Sequence, residues 1–349
     1  MKTYFLTAMM CVAAVLVSGQ DIHFSQFSEM PLLRNPALAG VFDGSYRVQA
    51  IYRNQWVTVS PQPYQTTAAG IEYKLKESCD GVDDAAPTTW VVGLQFLKDV
   101  AGASNFTRNE VAVSFTGRKR INDNLRVASG FFGGYVTGGF DAYKLSWGDQ
   151  YVNYQYSPNN PTAQPFGNKG KNYFDVGLGV MLTNASSDKS WQWYCGAAAY
   201  HINKPVISYG EDYTMPVRFS INASSASYLG ENDNLLIFTG DAILQKNQRE
   251  YLFGAYYKIN GFGWDNFASG NKQGFSITPG IIYRAQDALI LALKLEWNHI
   301  TVGVSFDVNV IASNISEASG GYGAYEGLIK YRGTLSDMGR CGGYECPFQ

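Results

Sequence analysis

Histidines are the residues of this chain best suited to proton transfer, and the sequence has only three of them, His23, His201 and His299. A hydrolytic site needs a nucleophile or a pair of carboxylates beside such a base. His201 is followed closely by Asn203 and Lys204, but no serine motif can be matched to it. A histidine in that setting more often serves as a hydrogen-bonding residue. We therefore expect that the protein is not an enzyme.

Cysteines offer the second kind of chemistry. Cys341 and Cys346 enclose Gly-Gly-Tyr-Glu, which is not the short spacing of a zinc site, and no histidine lies nearby in sequence to complete one. A disulfide between these two cysteines and a pair of free thiols are the alternatives, and we predict the disulfide. Cys195 lies inside a strand pattern, where it serves most simply as a small apolar residue. We predict no metal site.

Phosphate-binding features are weak. Gly177 and Gly179 form a Gly-x-Gly inside a strand pattern, and no helix start follows them, so we expect them to relieve crowding inside a curved wall. The formal net charge of -2 provides no basic field for nucleic acid. The sequence therefore predicts neither a cofactor nor a nucleic-acid partner.

The N-terminus has the pattern of a secretory signal. Lys2 precedes an apolar run at residues 4–17, and small residues at 17–19 follow it. We predict cleavage after Gly19, so that residues 1–19 are a signal peptide. The alternative is a membrane anchor helix, which the run disfavours because it is shorter than the ~20 residues of a membrane span. The mature chain then lies outside the cytoplasm, where disulfides persist.

Segments of about ten residues that alternate apolar with polar or small side chains recur along the mature chain. In the clearest example, Ile300, Val302 and Val304 alternate with Thr301 and Gly303. A soluble sandwich also alternates, but its strands usually have about five or six residues. Tyrosine, phenylalanine and tryptophan recur near segment ends, where an interfacial girdle would place them. We predict an all-β, antiparallel, up-and-down transmembrane barrel at residues 45–332.

Turn signals divide this region into about 14 strands, an even number that brings both ends of the barrel to one side. We expect the strands near 45–56, 65–76, 89–98, 109–118, 124–137, 172–184, 191–202, 215–229, 234–245, 250–260, 273–284, 288–297, 299–309 and 323–332. By convention that side is the periplasm, so the termini are predicted to be periplasmic. Residues 117–124 and 186–189 then form periplasmic turns, and residues 138–171 form the longest outer loop.

A barrel of this width has a lumen that its own side chains cannot fill, so the lumen is either plugged or wet. Residues 20–44 and the tail at 333–349 are the candidate plugs, and both are predicted to lie on the periplasmic side. Charges of both signs are expected to point inward and to pair with one another rather than form an ion-selective ring, and the alternative is that some of them lie solvated at the rim. These are Arg47, Arg53, Glu72, Lys74, Asp175, Lys294, Glu296 and Asp307.

Short motifs resemble the PorP/SprF family, the outer-membrane proteins of the type IX secretion and gliding apparatus of Bacteroidota. The mature N-terminus supplies an aromatic-Ser-Gln-aromatic run and an Asn-Pro-Ala-x-x-Gly run before the first strand. The resemblance continues at residues 53–56, 173–179, 199–205 and 304–309, and so covers most of the mature chain. The residues of the two N-terminal runs that we predict to bind a partner are Phe24, Ser25, Gln26, Phe27, Asn35, Pro36 and Gly40.

The resemblance to the family implies a function, whereas the alternation of apolar and polar residues indicates only the barrel. It implies an outer-membrane barrel needed for export or surface attachment of specific cargo, such as gliding adhesins with a C-terminal sorting domain. The implied partners are the type IX translocon barrel, periplasmic lipoprotein components and outer-membrane lipid. For the segment at residues 24–40, the alternatives are a docking surface and a seal that merely caps the lumen. For the whole chain, the rivals are a passive porin that conducts small solutes, and an adhesin or soluble β-sandwich.

Overall fold

A computed structural model describes residues 22–75, 88–122, 124–163, 170–184, 191–207, 213–229, 234–264, 273–310 and 319–335. The predicted cleavage site after Gly19 and the predicted disulfide between Cys341 and Cys346 lie outside the described residues, as does most of the predicted tail at 333–349.

Fourteen long antiparallel strands form a closed barrel, in which the first strand pairs with the last. The barrel strands are β1 (Tyr46–Gln55), β2 (Tyr64–Lys74), β3 (Thr88–Ala101), β4 (Phe106–Arg120), β5 (Leu125–Gly139), β8 (Gly170–Asn184), β9 (Trp191–Tyr200), β10 (Arg218–Leu229), β11 (Asn234–Gln245), β12 (Gln248–Trp264), β13 (Gln273–Arg284), β14 (Ala288–Trp297), β15 (Ile300–Asn309) and β16 (Tyr322–Gly333). The predicted up-and-down barrel is confirmed, and each predicted strand overlaps one of these. A small hairpin, β6 (Tyr151–Val152) and β7 (Gln155–Tyr156), stands apart from the barrel.

The two faces of the barrel strands differ in polarity, as a membrane-spanning barrel requires. On β15, Thr301, Ser305 and Asp307 are buried, whereas Val302 and Val304 are exposed on the outside. This arrangement is the reverse of a soluble protein, because polar groups point inward and apolar groups point outward. The closed barrel excludes the soluble sandwich as the fold, and its apolar outer face is the surface that contacts lipid.

The barrel has two rims that carry different connections. At the entry rim, where β1 begins and β16 ends, Tyr46 is opposite Gly333. At the opposite rim, which we call the far rim, β5 connects to β8 by the longest connection between barrel strands. Its described part, residues 140–163, contains the β6–β7 hairpin and two turns of 3-10 helix at Ala142–Lys144 and Gly148–Gln150.

Short helices precede the barrel. The segment before β1 contains 3-10 turns at Phe27–Glu29 and Pro36–Leu38 and one turn of α-helix, α1 (Pro31–Arg34). Proline at the first position of α1 suits a helix start, because its missing N–H would have no partner within the helix. In the described part of the chain, no helix is both long enough and apolar enough to span a membrane.

Candidate functional site

Residues 22–42, which we call the plug, lie inside the barrel. Their hydrogen bonds reach strands on all sides of the closed wall, and a short segment can do this only from within the lumen. The contacts that carry this conclusion run from Gly40 to Glu72 on β2, from Pro36 to Thr116 on β4, from Leu32 to Tyr200 on β9, from Arg34 to Asp241 on β11 and from Ser25 to Glu326 on β16.

The Asn-Pro motif fixes the middle of the plug. Asn35 is fully buried, and its side-chain amide donates to the carbonyl oxygens of Val180 (3.0 Å) and Ala197 (3.3 Å). The other side of the amide, Oδ1, accepts from the backbone N–H of Ala37 at 2.8 Å and so caps the turn at Pro36–Leu38. Asparagine is thus needed both as a donor to the wall and as an acceptor within the plug.

Glycines in the wall make room for this motif. A Cβ atom on Gly130 would lie 2.5 Å from the carbonyl carbon of Pro36, and one on Gly179 would lie 2.9 Å from Cδ of the same proline. On Gly196 it would lie 2.8 Å from Nδ2 of Asn35. Such distances are too short for any side chain, so these three positions form a glycine cradle. Gly179 therefore relieves crowding, as expected, and the crowding comes from the plug.

Both aromatic residues of the aromatic-Ser-Gln-aromatic run fill apolar pockets of the lumen. Phe24 belongs to a buried cluster with Met30 of the plug and with Ile51, Ala68, Leu97 and Leu328 of the wall. Phe27 packs on the opposite side against Ala226, Leu235, Ile237, Leu252, Tyr256, Ile282, Ala288, Ile290 and Ala292. Burial of each phenylalanine side chain contributes about 1.5–3 kcal/mol.

Between these aromatics the plug backbone is held by one carboxylate. Glu326 accepts hydrogen bonds from the backbone N–H groups of Ser25 (2.5 Å) and Gln26 (2.8 Å). The Ser25 hydroxyl donates to Asp307 at 2.7 Å, and Arg53 donates to Glu326 at 2.7 Å. The serine and its neighbours thus complete a buried network in which both charge signs are present.

Two ion-pair sites anchor the plug farther along the chain. Glu29 lies between Lys294 and Lys330, with 2.8 Å to the ammonium of Lys330. Burial alone would raise the pKa of Glu29, but the two ammonium groups together outweigh it and hold the pKa below its usual range. Arg34 pairs with Asp241 through two of its nitrogens. Each pair is buried, so removal of one partner would leave an uncompensated charge.

The inward-pointing charges of the wall also pair with one another. Pairs of this kind include Arg47 with Glu72 (2.6 Å), Arg53 with Asp307 (3.2 Å), Lys258 with Glu296 (3.0 Å) and Arg332 with Glu296 (2.6 Å). Lys294 pairs with the plug, and Lys74 donates to the Phe42 carbonyl oxygen at 2.5 Å. The prediction of internal pairing is confirmed for Arg47, Arg53, Glu72, Lys294, Glu296 and Asp307.

His201 has a structural partner. It is buried, and its Nδ1 lies 2.9 Å from a carboxylate oxygen of Asp175, which is also buried. His201 directly follows Tyr200, the last residue of β9. Its left-handed φ of 59° marks the point where the chain leaves the strand. Among the residues that the structure describes, no group of three or more potential ligands could hold a metal ion.

All of the residues predicted to bind a partner lie together in the plug. Phe24, Ser25, Gln26, Phe27, Asn35, Pro36 and Gly40 are all buried. Their role in partner binding stays a prediction, and it would require the plug to leave the lumen.

Sequence reasoning singled out some of the wall residues that receive the plug, such as Lys294 and Asp307, but not Glu326, Lys330 or Asp241. Glu326 and Lys330 occupy alternate positions of the last predicted strand, and Asp241 is a lone charge in an apolar strand. A charge at an inward position of an otherwise apolar strand is the signal that could have identified them.

The plug extends from one rim of the barrel to the other instead of lying at a single rim. Phe42 lies beside Lys74 at the entry rim, whereas Ile22 shares a small cavity with Arg218, Gln245 and Gln248 at the far rim. The chain therefore crosses the lumen, and residue 22 lies at the rim opposite to residue 45. The prediction that residues 20–44 and the barrel ends lie together on one side does not describe this path.

A comparison with protein-family models gives a match over most of the chain. A family model described as type IX secretion system membrane protein PorP/SprF matches residues 16–331. No curated protein matches the chain.

Solved structures similar to the chain include a FadL homologue from Pseudomonas aeruginosa (8% identity, 85% of this chain and 92% of that one, TM-score 0.45). They also include the TodX monoaromatic hydrocarbon channel (10%, 87% and 93%, TM-score 0.44) and BamA from Haemophilus ducreyi (7%, 82% and 70%, TM-score 0.40). These similarities are too low to indicate a substrate or a partner.

Proposed function

Because the chain belongs to the PorP/SprF family of type IX secretion system membrane proteins, we propose that it is needed for export or surface attachment of specific cargo, such as gliding adhesins. As an outer-membrane barrel, it would bind the cargo and partners within the translocon. The partners in this proposal are the translocon barrel, periplasmic lipoprotein components and a secreted adhesin with a C-terminal sorting domain.

The observation that carries the proposal is the filled lumen. The plug crosses the barrel and is held by Glu326, by the Lys294 and Lys330 pair and by Asp241. A barrel whose lumen contains its own ordered segment is suited to hold and present another protein rather than to conduct solutes. The same observation disfavours the rival reading as a passive porin.

Deletion of the gene tests the proposed function directly. We expect the surface adhesin to be trapped in the cell or lost, while uptake of small antibiotics and detergents stays unchanged. Complementation with the wild-type gene is the control. Normal adhesin display in the deletion strain would contradict the proposal.

Planar-bilayer recording tests the porin alternative. Purified wild-type protein is expected to show no steady conductance, because the plug occupies the lumen. Steady open conductance of the wild-type barrel would favour the porin.

We further propose that the entry rim faces the periplasm and the far rim faces the cell exterior. The support is that outer-membrane barrels have short periplasmic turns and longer outer loops, and the longest connection here is at the far rim. Cysteine variants of exposed residues, Tyr154→Cys at the far rim and Asn124→Cys at the entry rim, test this orientation.

A membrane-impermeant thiol reagent applied to intact cells should label Tyr154→Cys and leave Asn124→Cys unlabelled. The unsubstituted chain measures the background from the native cysteines. Labelling of Asn124→Cys alone would reverse the orientation.

A further inference from the structure

The far rim carries a loop that displays tyrosines to solvent. This loop, residues 140–163, is called here the tyrosine loop. Tyr143 exposes 87% of its surface and Tyr154 exposes all of it, and Tyr151 and Tyr156 are also exposed. Exposed apolar surface that is concentrated in one region is a mark of interaction sites.

The hairpin at the centre of the loop holds its tyrosines in a defined arrangement. Tyr151 and Tyr156 are directly opposite each other across the β6–β7 pair, with ring centroids 5.4 Å apart. The two-residue turn consists of Asn153 (φ 51°) and Tyr154 (φ 64°). Asparagine tolerates this left-handed conformation, whereas tyrosine is strained in it. A fully exposed tyrosine in a strained position at the tip points to a function for that side chain.

Polar residues of the loop maintain its shape. The side chains of Gln150 and Asn160 each donate to the other residue's backbone carbonyl oxygen, at 3.2 and 2.9 Å. Asp149 accepts from the hydroxyl of Thr162 (3.0 Å) and from the backbone N–H of Ala163 (2.6 Å). The loop is therefore preorganised, and less conformational entropy is lost when it binds.

We propose that the tyrosine loop is a docking surface for a folded protein domain, and, on the basis of the proposed function, that this domain belongs to the exported adhesin. Tyrosine with serine, glycine and asparagine is the composition of antibody-type binding loops, where rigid aromatic rings provide contact area and small polar residues provide hydrogen bonds. A surface polysaccharide is the less favoured ligand, because the carboxylate and amide groups of Asp149, Gln150 and Asn160 are engaged within the loop.

Charge has a minor part in this docking surface. Residues 140–163 include only three charged side chains, Asp141, Lys144 and Asp149, and Asp141 accepts from the backbone N–H of Tyr143 at 3.0 Å. Binding is therefore expected to depend on apolar contact and shape, with little sensitivity to salt.

The test uses full-length protein in lipid nanodiscs and the purified C-terminal domain of the adhesin as the probe. A triple variant, with Tyr143→Ser, Tyr151→Ser and Tyr154→Ser, should bind the domain at least about 100-fold more weakly than the wild type. The corresponding triple phenylalanine variant should stay within about threefold, because the ring supplies the contact area. Tyr213→Ser, at the same rim outside the loop, is the matched control and should bind as the wild type does.

Each outcome decides the inference. The triple serine variant must still show heat-modifiable gel migration, which reports a folded barrel, and a change of less than about threefold in Kd between low and high salt is expected for the wild type. Unchanged binding of the domain by the folded triple serine variant would overturn the inference. Loss of binding to purified surface polysaccharide, with domain binding intact, would also overturn it.

These outcomes are separate from the test of the proposed function. If the deletion strain fails to display the adhesin but the triple serine variant restores display and binds the domain normally, only the tyrosine loop is excluded. If the deletion strain displays the adhesin normally, the proposed function itself fails.

Discussion

The two faces of the barrel wall differ in how closely the rest of the molecule specifies them. On the outer face, Val302, Val304 and Phe306 need only be apolar, because lipid adapts to any apolar shape. On the inner face, Gly179 is matched to Pro36, and Glu326 is matched to two successive backbone N–H groups of the plug. The outer face is a solvent boundary, whereas the inner face is a binding site for one particular segment.

This difference leads to an expectation for substitutions. Inner-face changes should act through the plug and depend on which plug residue is opposite. Outer-face changes should depend only on depth in the membrane.

The largest effect is expected from Glu29→Gln. The substitution leaves Lys294 and Lys330 buried without their carboxylate, and loss of one partner of a buried ion pair costs about 3–5 kcal/mol in the free energy of unfolding. Urea unfolding in lipid vesicles measures it. Asp287→Asn is the control: its carboxylate pairs with Arg284 but is half exposed, so a loss of at most about 1 kcal/mol is expected. Equal losses in the two variants would mean that the plug does not contribute to stability.

The outer face should show a dependence on depth. Val304→Arg places a charge on the lipid-facing side in the middle of β15 and is expected to cost about 2–4 kcal/mol. Ile300→Arg changes the same face at the entry-rim end of the same strand, where the expected cost is about 0–1 kcal/mol. Vesicle-based unfolding measures both variants. Similar costs would contradict the assignment of this face to lipid.

A smaller effect is expected in the glycine cradle. Gly179→Ala adds a Cβ atom that would clash with Oδ1 of Asn35 and would lie 2.9 Å from Cδ of Pro36, and overpacking of this kind costs about 1–3 kcal/mol. Gly70→Ala is the matched control, because Gly70 also lies on the inner face. The nearest atom to its added Cβ atom would be Nε2 of Gln49, at 3.4 Å, which is the end of a flexible side chain. If displacement of the plug is the cause, bilayer recordings of Gly179→Ala should show openings that Gly70→Ala lacks. Closed recordings with an unchanged stability would show that the plug is not seated on this glycine.

The sequence predicted those structural features that are determined by residues close together in the chain. The alternation on β15 follows from a two-residue period that each strand carries in its own residues, so the fourteen strands and their outward faces could be predicted. The plug was a candidate because Pro31 and Asn35-Pro36 exclude a strand.

Prediction did not extend to the partners of the plug. The contact between Arg34 and Asp241 joins residues far apart in the chain, and its existence depends on how the barrel closes and on the path of the plug through the lumen. The period of a strand shows that Asp241 points inward, but not which residue it meets. The far-rim position of residue 22 has the same origin, because an even strand count fixes the barrel ends and leaves the path of the preceding segment open.

The smallest predicted effect is a pH dependence of the free energy of unfolding. It is expected for a substitution in the plug and not for one on the outer face. The pKa of Glu29 is lowered when the plug is seated, so its contribution to stability is fully present above about pH 4.5, the ordinary glutamate value, and is lost as the pH falls below it. The difference in free energy of unfolding between wild type and Glu29→Gln should be constant from neutral pH to about pH 5 and then shrink by up to about 1.4 kcal/mol per pH unit. The difference between wild type and Val304→Arg should not shrink in this way, because the wild-type valine has no group that titrates. If the first difference instead grew on acidification, the carboxylate of Glu29 would not be the group that anchors the plug.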